Sequence, residues 1–294
     1  MATIKKIFIP GTLMLLLSMC FACSSKSKSL ENVEHIKDNK YTCTYDGVKH
    51  DFFLELPDNT EGAPLIVMLH GYGDSAESFR SRVHLERTEG AENMVVAYVN
   101  GAKNPNDKTS ARGWNSGIGT EGNDDVGFLK AFAQYLQKEY SLDTTKTYVI
   151  GFSNGAFMVH RLAMEAGDTY TGFVSVAGKM PESVWKTKND KNNLKFFQIT
   201  GEKDEVVPKK SDGSAAYAKD PAIEDVMDYW VSSDGVSLSD TVEVGEGSIL
   251  NMYTSDNSDN MVWDLLVKDG GHSWYTEKEN GIDTNTLILE FLTE

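Results

Sequence analysis

Residues 148–155 read Tyr-Val-Ile-Gly-Phe-Ser-Asn-Gly, and an apolar segment compatible with a helix follows over residues 156–166. Three β-favouring residues run into a glycine-bracketed turn, so the stretch predicts a strand, a sharp turn and a helix. A serine at the tip of such a turn sits in a strained backbone, which only small residues two positions away on each side tolerate. Gly151 and Gly155 supply them, making Ser153 a candidate nucleophile. A serine hydroxyl is a weak nucleophile unaided, so the chain must also supply a base, an acid to orient the base, and donors for a developing oxyanion.

Working outward, the apolar run over residues 194–199 leads into Gly-Glu-Lys-Asp-Glu over residues 201–205. A carboxylate on the loop leaving a parallel strand stands where doubly wound folds build their sites. Asp204 is the expected orienting acid, with Glu202 and Glu205 as positional rivals. The last predicted strand, residues 261–267, is followed by Lys-Asp-Gly-Gly-His-Ser-Trp over residues 268–274. Its two glycines suit a tight turn that presents His272 as the base. His35, His50, His84 and His160 are read as tether, strand or helix-surface residues. The nearly continuous apolar run over residues 64–69 reads as a strand buried on both faces, and it ends at His70-Gly71-Tyr72-Gly73. The backbone N–H of Tyr72 and that of Asn154, directly after the nucleophile, are the expected oxyanion donors. Serine, acid and histidine in this chain order match the α/β-hydrolase arrangement.

The rest of the chain fits that frame. A hairpin is expected over residues 41–56 about Asp46-Gly47, with a surface helix over 76–87 and a buried strand over 93–99. Residues 101–122 form a long loop carrying Trp114, and loops of that length are usually functional. A helix opened by acids follows over residues 124–140, with later helices over 222–231 and 286–292 and a further strand over 173–176. Alternating strands and helices predict an α/β fold, a mostly parallel central sheet with helices on both faces.

The chain has 294 residues, 40% of them hydrophobic, enough for one large core and one catalytic domain over residues 41–294. Formal net charge is −16, or −18 once Lys5 and Lys6 are removed with residues 1–22. That surface repels polyanions, so nucleic acid is an unsuitable partner. Residues 1–22 pair those lysines with an apolar run shorter than a membrane span and read as a signal peptide. The polar stretch after Ala22 predicts a flexible tether over residues 23–40. The segment resembles a bacterial lipoprotein signal, which implies lipidation of Cys23, although Cys20 replaces the usual leucine. An exported envelope lipoprotein held by its lipid is therefore expected, with release as a soluble secreted protein as the alternative. Cys43 is the remaining cysteine and reads as strand packing.

The blocks Leu69-His70-Gly71-Tyr72-Gly73, Trp114-Asn115, Asp124-Asp125-Val126-Gly127-Phe128, Gly151 to Gly155, Gly201 with Asp204, and Gly270-Gly271-His272-Ser273-Trp274 occur in one order. Together they resemble the secreted polyhydroxybutyrate depolymerases and feruloyl esterases, the first carbohydrate esterase family and its relatives. Such proteins carry a further glycine after the elbow, where this chain has Ala156. The resemblance covers residues 45–292 and implies a serine esterase that needs no metal or other cofactor, acting on esters attached to or forming a polymer. Asp256 and Asp259 lack the spacing of a calcium loop. Trp114, Trp274 and Tyr275, with Tyr72, fall on site loops and are candidates to stack on a feruloyl ring or a sugar. Feruloyl or acetyl esters of plant polysaccharides are the expected substrates, cleaved by a monomer. The alternatives are a polyester depolymerase, a peptidase of the same fold, and an envelope-anchored carbohydrate-binding protein with an inactive hydrolase fold.

Overall fold

The computed structural model describes residues 28–103, 109–118, 122–188, 194–210 and 219–294. The expected signal peptide, Cys23 and the first part of the tether lie outside the described residues. Among those described, no helix is long and apolar enough to cross a membrane.

The chain opens with β1 (Glu31–Lys37), β2 (Lys40–Tyr45) and β3 (Val48–Glu55), an antiparallel meander. Asp46 and Gly47, both at positive φ, make the turn read from the sequence. Then come β4 (Leu65–Leu69), α1 (Ala76–Val83), a 3₁₀ turn (Leu85–Arg87) and β5 (Val95–Val99). Next are α2 (Asp125–Glu139), β6 (Thr147–Phe152), α3 (Asn154–Glu165), β7 (Gly172–Val176), the short α4 (Glu182–Trp185) and β8 (Lys195–Gly201). The chain closes with α5 (Ile223–Asp234), β9 (Ser237–Val244), β10 (Ser248–Thr254), β11 (Met261–Val267), the short α6 (Glu277–Asn280) and α7 (Thr284–Thr293).

All described strands join one mixed sheet in the order β1-β2-β3-β5-β4-β6-β7-β8-β11-β10-β9. The six central strands β5-β4-β6-β7-β8-β11 are parallel, and both margins are antiparallel. Each central strand divides its side chains between two cores, as a pleat of period two requires. Leu65, Val67 and Leu69 of β4 face the core closed by Phe128 and Phe132 of α2, Met158 and Leu162 of α3, and Trp230 of α5. Ile66 and Met68 face the opposite core, closed by Phe79 of α1 and Ile288 and Phe291 of α7. This is the expected α/β architecture with helices on both faces.

Two expectations need correction. Residues 31–37, assigned to the tether, form β1, which pairs with β2 across a tight turn at Asp38 and Asn39. Its residues are mostly exposed, so the strand is held by the ladder and carries little apolar pattern. The β9–β10 hairpin, with left-handed Gly245 and Gly247 in its turn, extends the other margin and was not expected.

Candidate active site

Ser153 stands between the end of β6 and the start of α3 with φ 53° and ψ −119°, a conformation that costs a non-glycine residue roughly 1–3 kcal/mol. The flanking glycines are required by close approach. A Cβ on Gly151 would collide with the Gly155 carbonyl, and one on Gly155 with the Leu69 carbonyl, at the end of the adjacent strand. The Ser153 N–H donates to the Val176 carbonyl at 3.0 Å, fixing the turn to β7. Strand order, turn and helix thus hold the hydroxyl at the carboxyl edge of the parallel strands.

His272 reaches it from the loop after β11. Its Nε2 lies 2.9 Å from Ser153 Oγ, and its Nδ1 lies 2.8 Å from Asp204 Oδ2. With the carboxylate accepting from Nδ1–H, Nε2 is left to accept the serine proton. The Asp204 side chain is 1% exposed, and its Oδ1 accepts the backbone N–H groups of Val206 at 2.9 Å and Val207 at 2.7 Å. The carboxylate is therefore buried, with both of its oxygens hydrogen-bonded. The rivals behave differently, since Glu202 accepts from the Asp269 N–H and Glu205 is exposed. The histidine turn also differs in detail from expectation. The left-handed residue is Asp269, at φ 57°, while Gly270 is needed because a Cβ there would press on Tyr275 and Val267.

The loop after β4 comes to Ser153 directly, for a Cβ on Gly71 would lie 3.3 Å from the Ser153 Cβ. His70 organises that loop. It is buried, its Nε2 accepts the Gly101 N–H at 3.0 Å, and its Nδ1 donates to the Gly71 carbonyl at 2.7 Å. Burial holds its pKa below the ordinary value, consistent with a neutral ring bonded at both nitrogens. Asn154 heads α3, where first-turn N–H groups have no intrahelical partner and the helix presents positive potential. Tyr72 and Asn154, the two expected oxyanion donors, thus belong to segments that meet at Ser153.

The expected aromatic platform is largely absent. Trp114 is 5% exposed and donates its indole N–H to the His70 carbonyl at 2.9 Å. Tyr275 is 1% exposed and donates to the Gly271 carbonyl at 2.6 Å. Both rings are packing residues whose polar tips brace site loops. Trp274 is half-buried, packs edge-on against Phe79 and donates to Asn285. Tyr72 alone is open, 56% exposed with its hydroxyl 2.8 Å from Thr109 Oγ1, and Val206 beside Asp204 is 53% exposed.

Several site-supporting residues were not anticipated. The Asn154 side chain, Asp125 and Arg161 all bind the backbone around Trp114. Asp125 is 2% exposed, its Oδ2 accepts the Asn115 N–H at 2.6 Å, and its Oδ1 lacks a partner among the described residues. Burial pushes its pKa up to about 7, against the opposing pull of that N–H and of the Arg161 charge. His160, read as a surface residue, is buried against Phe196 and Gln198, and burial pushes its pKa down to about 3. His50 is likewise buried, stacked on Phe128. Both follow from helix and strand faces that a sequence pattern does not orient. Among the described residues, no group of three or more acidic, histidine or cysteine side chains could hold a metal ion.

Several known proteins are similar to this chain. A protein of Nocardia uniformis subsp. tsuyamanensis named "Putative esterase NocK" is 32% identical over 169 residues, 55% of this chain and 46% of its own length. A bifunctional acetylxylan esterase/xylanase of Neocallimastix patriciarum is 24% identical over 55% of this chain and 22% of its own length. Poly(3-hydroxyalkanoate) depolymerase C of Paucimonas lemoignei is 26% identical over 40% of this chain and 28% of its own length. The chain therefore spans less than half the length of each of these curated relatives. Among solved structures, an acetyl xylan esterase from Aspergillus awamori superposes with a TM-score of 0.58 at 11% identity, covering 87% of this chain and 99% of that one. The Bacillus cereus carboxylesterase superposes at 0.51 and 16% identity, covering 82% and 92%. At such identities these likenesses concern the fold alone. The profile of the family described as Phospholipase/Carboxylesterase matches residues 55–241, more than half of the sequence, and the chain belongs to that family.

Proposed function

We propose that the protein is a serine carboxylic ester hydrolase in which Ser153 is the nucleophile, His272 the general base and acid, and Asp204 the residue that orients the histidine. The observation that carries this reading is the unbroken hydrogen-bonded chain from Ser153 Oγ through His272 to Asp204, at 2.9 and 2.8 Å. As Ser153 attacks the ester carbonyl carbon, its proton passes to His272 Nε2 and the carbonyl oxygen becomes an oxyanion facing the Tyr72 and Asn154 N–H groups. The imidazolium then gives its proton to the leaving alcohol, and an acyl-enzyme remains. Water, deprotonated by the same histidine, releases the acid. Each oxyanion donor is worth about 3 kcal/mol in the barrier.

The preferred substrates are feruloyl or acetyl esters of plant polysaccharides. Two features support this choice: the likeness to the Neocallimastix protein named as a bifunctional acetylxylan esterase/xylanase, and the open Tyr72 ring beside the site. With Trp114 and Tyr275 buried, Tyr72 is the aromatic surface left for a planar acyl group or a sugar, and Val206 offers a second apolar contact. In the sheet β4 lies next to the nucleophile strand β6 on one side and β8 lies beyond β7 on the other, so the loops bearing Tyr72 and Val206 leave the sheet on opposite sides of that strand. A second reading, hydrolysis of a polyhydroxyalkanoate, is favoured by the Paucimonas relative. In either case we propose export, with Cys23 as the lipid attachment point of an envelope protein.

The deciding experiment is a hydrolysis panel of methyl ferulate, acetylated xylan, short nitrophenyl esters and a polyhydroxyalkanoate, run beside Ser153→Ala. Highest kcat/KM on methyl ferulate or acetylated xylan supports the first reading, and on the polyester the second. No Ser153-dependent turnover of any ester would leave a binding protein with an inactive fold.

A further inference from the structure

The segment of residues 112–116 crosses the site as a strap, and its backbone is committed almost completely. The Arg112 carbonyl accepts the Gly73 N–H at 2.8 Å, and the Gly113 N–H donates to the Ala102 carbonyl at 3.3 Å. The Trp114 N–H donates to Asn154 Oδ1 at 2.7 Å, while Asn154 Nδ2 donates back to the Trp114 carbonyl at 3.3 Å and to Ser116 Oγ at 3.2 Å. On the far side, Asp125 Oδ2 accepts the Asn115 N–H at 2.6 Å and Arg161 Nη1 donates to the Asn115 carbonyl at 2.7 Å. Gly113 fills the space between the two site segments: a Cβ there would stand 3.1 Å from both the Tyr72 ring and Asn154 Oδ1. The Trp114 indole ties the same strap to the His70 carbonyl.

The strap therefore touches both segments whose N–H groups would meet the oxyanion, and nothing in the proton relay from Ser153 to Asp204 requires it. We propose that the Asn154 side chain is a positioning residue of the oxyanion hole, gripping the strap so that the Tyr72 and Asn154 N–H groups are held at a fixed separation, with Asp125 anchoring the strap from α2. This rests on the reading of Ser153 as nucleophile. Asparagine suits the position because one amide offers an acceptor to the Trp114 N–H and donors to the Trp114 carbonyl and Ser116. Alanine would release all three bonds, and aspartate would turn a second acceptor toward the Trp114 carbonyl. Donor misplacement of about 1 Å is felt chiefly by the transition state, whose oxygen must sit about 2.7–3.1 Å from both donors.

Asn154→Ala is the direct test, because it keeps the backbone donor and removes only the grip. The expected result is a fall in kcat of about 10- to 100-fold with KM within about twofold of the unaltered protein. Affinity for an aryl boronic acid, which forms a tetrahedral adduct on the serine, should weaken in the same proportion. From the other end of the strap, Asp125→Ala should show a smaller loss of the same kind. Asp125→Asn, which can still accept the Asn115 N–H, should restore kcat to within about twofold. A purely structural role would lower the melting temperature of Asn154→Ala while leaving kcat and boronate affinity unchanged, and that result overturns the proposal. So does a rise in KM at constant kcat. Should Asn154→Ala fail to fold, Asn154→Asp, which keeps an acceptor for the Trp114 N–H but loses both Nδ2 donations, must lower kcat selectively, and unchanged kcat there overturns it equally. Hydrolysis that survives Ser153→Ala would instead sink the underlying assignment of the nucleophile.

Discussion

Replacing Asp204 by asparagine changes one oxygen to an NH₂ and should silence the site for a reason legible in its hydrogen bonds. In the native arrangement Oδ1 takes two backbone N–H groups, from Val206 and Val207, and Oδ2 takes the His272 Nδ1–H. An amide has one acceptor oxygen and must choose. If the oxygen stays with Val206 and Val207, the NH₂ faces His272 Nδ1, forcing that nitrogen to accept. The proton then moves to Nε2, which can no longer take the Ser153 proton. The opposite orientation preserves the useful tautomer but leaves the two backbone N–H groups unpaired, at a cost of about 1–3 kcal/mol each. The productive orientation therefore lies roughly 2–6 kcal/mol higher, a population of about 3 × 10⁻² to 4 × 10⁻⁵. Loss of the carboxylate's stabilisation of the imidazolium lowers the rate further, and a total fall in kcat on the order of 10⁴ is expected. Stability should change by less than about 2 kcal/mol, because the favoured orientation keeps the backbone bonds. Steady-state kinetics on a nitrophenyl ester, with circular dichroism to confirm folding, would measure both. Folded Asp204→Asn within tenfold of the unaltered protein would refute the reasoning, whereas Glu202→Gln and Glu205→Gln should be near normal.

Three further outcomes follow from the same geometry. Gly155→Ala drives a Cβ into the Leu69 and His70 carbonyls, which are backbone and cannot swing away, so calorimetry should find a loss of about 3 kcal/mol and a melting point lower by roughly 6–12 °C. Asp234 is 5% exposed at the carboxyl end of α5, and burial pushes its pKa from 3.8 up to about 7, against a smaller pull from the Leu194 backbone. Because the folded value is the higher one, its contribution is full below about pH 4 and is lost as pH rises to 7, so Asp234→Asn should add about 2–4 kcal/mol at pH 8 and little at pH 4 in urea titrations. Tyr72→Ala keeps the backbone donor and removes the exposed ring, and it should raise KM for methyl ferulate about 2- to 12-fold while leaving that for a nitrophenyl acetate unchanged.

The parts of the fold that carry strong apolar pattern were legible. The runs that became β4, β5, β6, β8 and β11 are buried strands, and the elbow stood out because its glycines answer a local steric demand. The three relay residues could be nominated because each follows a buried strand of a parallel sheet, so that topology alone brings Ser153, Asp204 and His272 to one edge. The margins were harder. Only Val33 and Leu30 of the first described stretch pack on the core, so β1 exists through ladder bonds rather than burial. The β9–β10 hairpin did offer a cue, alternating Leu238, Val242 and Val244 before Gly245 and Gly247, yet those apolar positions are sparse among acids. Aromatics on site loops misled for another reason: sequence says which loop bears Trp114 or Tyr275, but whether the ring turns inward depends on which carbonyl its polar tip can reach. The Asn154 side chain shows the same limit, its partners lying about forty positions away, at Trp114 and Ser116.

The central claim is that Ser153 is a nucleophile activated by His272. A fluorophosphonate probe tests it most directly, with the adduct mapped by mass spectrometry in the unaltered protein, Ser153→Ala and His272→Ala. One adduct on the peptide bearing Ser153, absent from the first variant and slowed at least a hundredfold in the second, is the predicted result. Labelling at another residue, or ester hydrolysis that persists in Ser153→Ala, would contradict it.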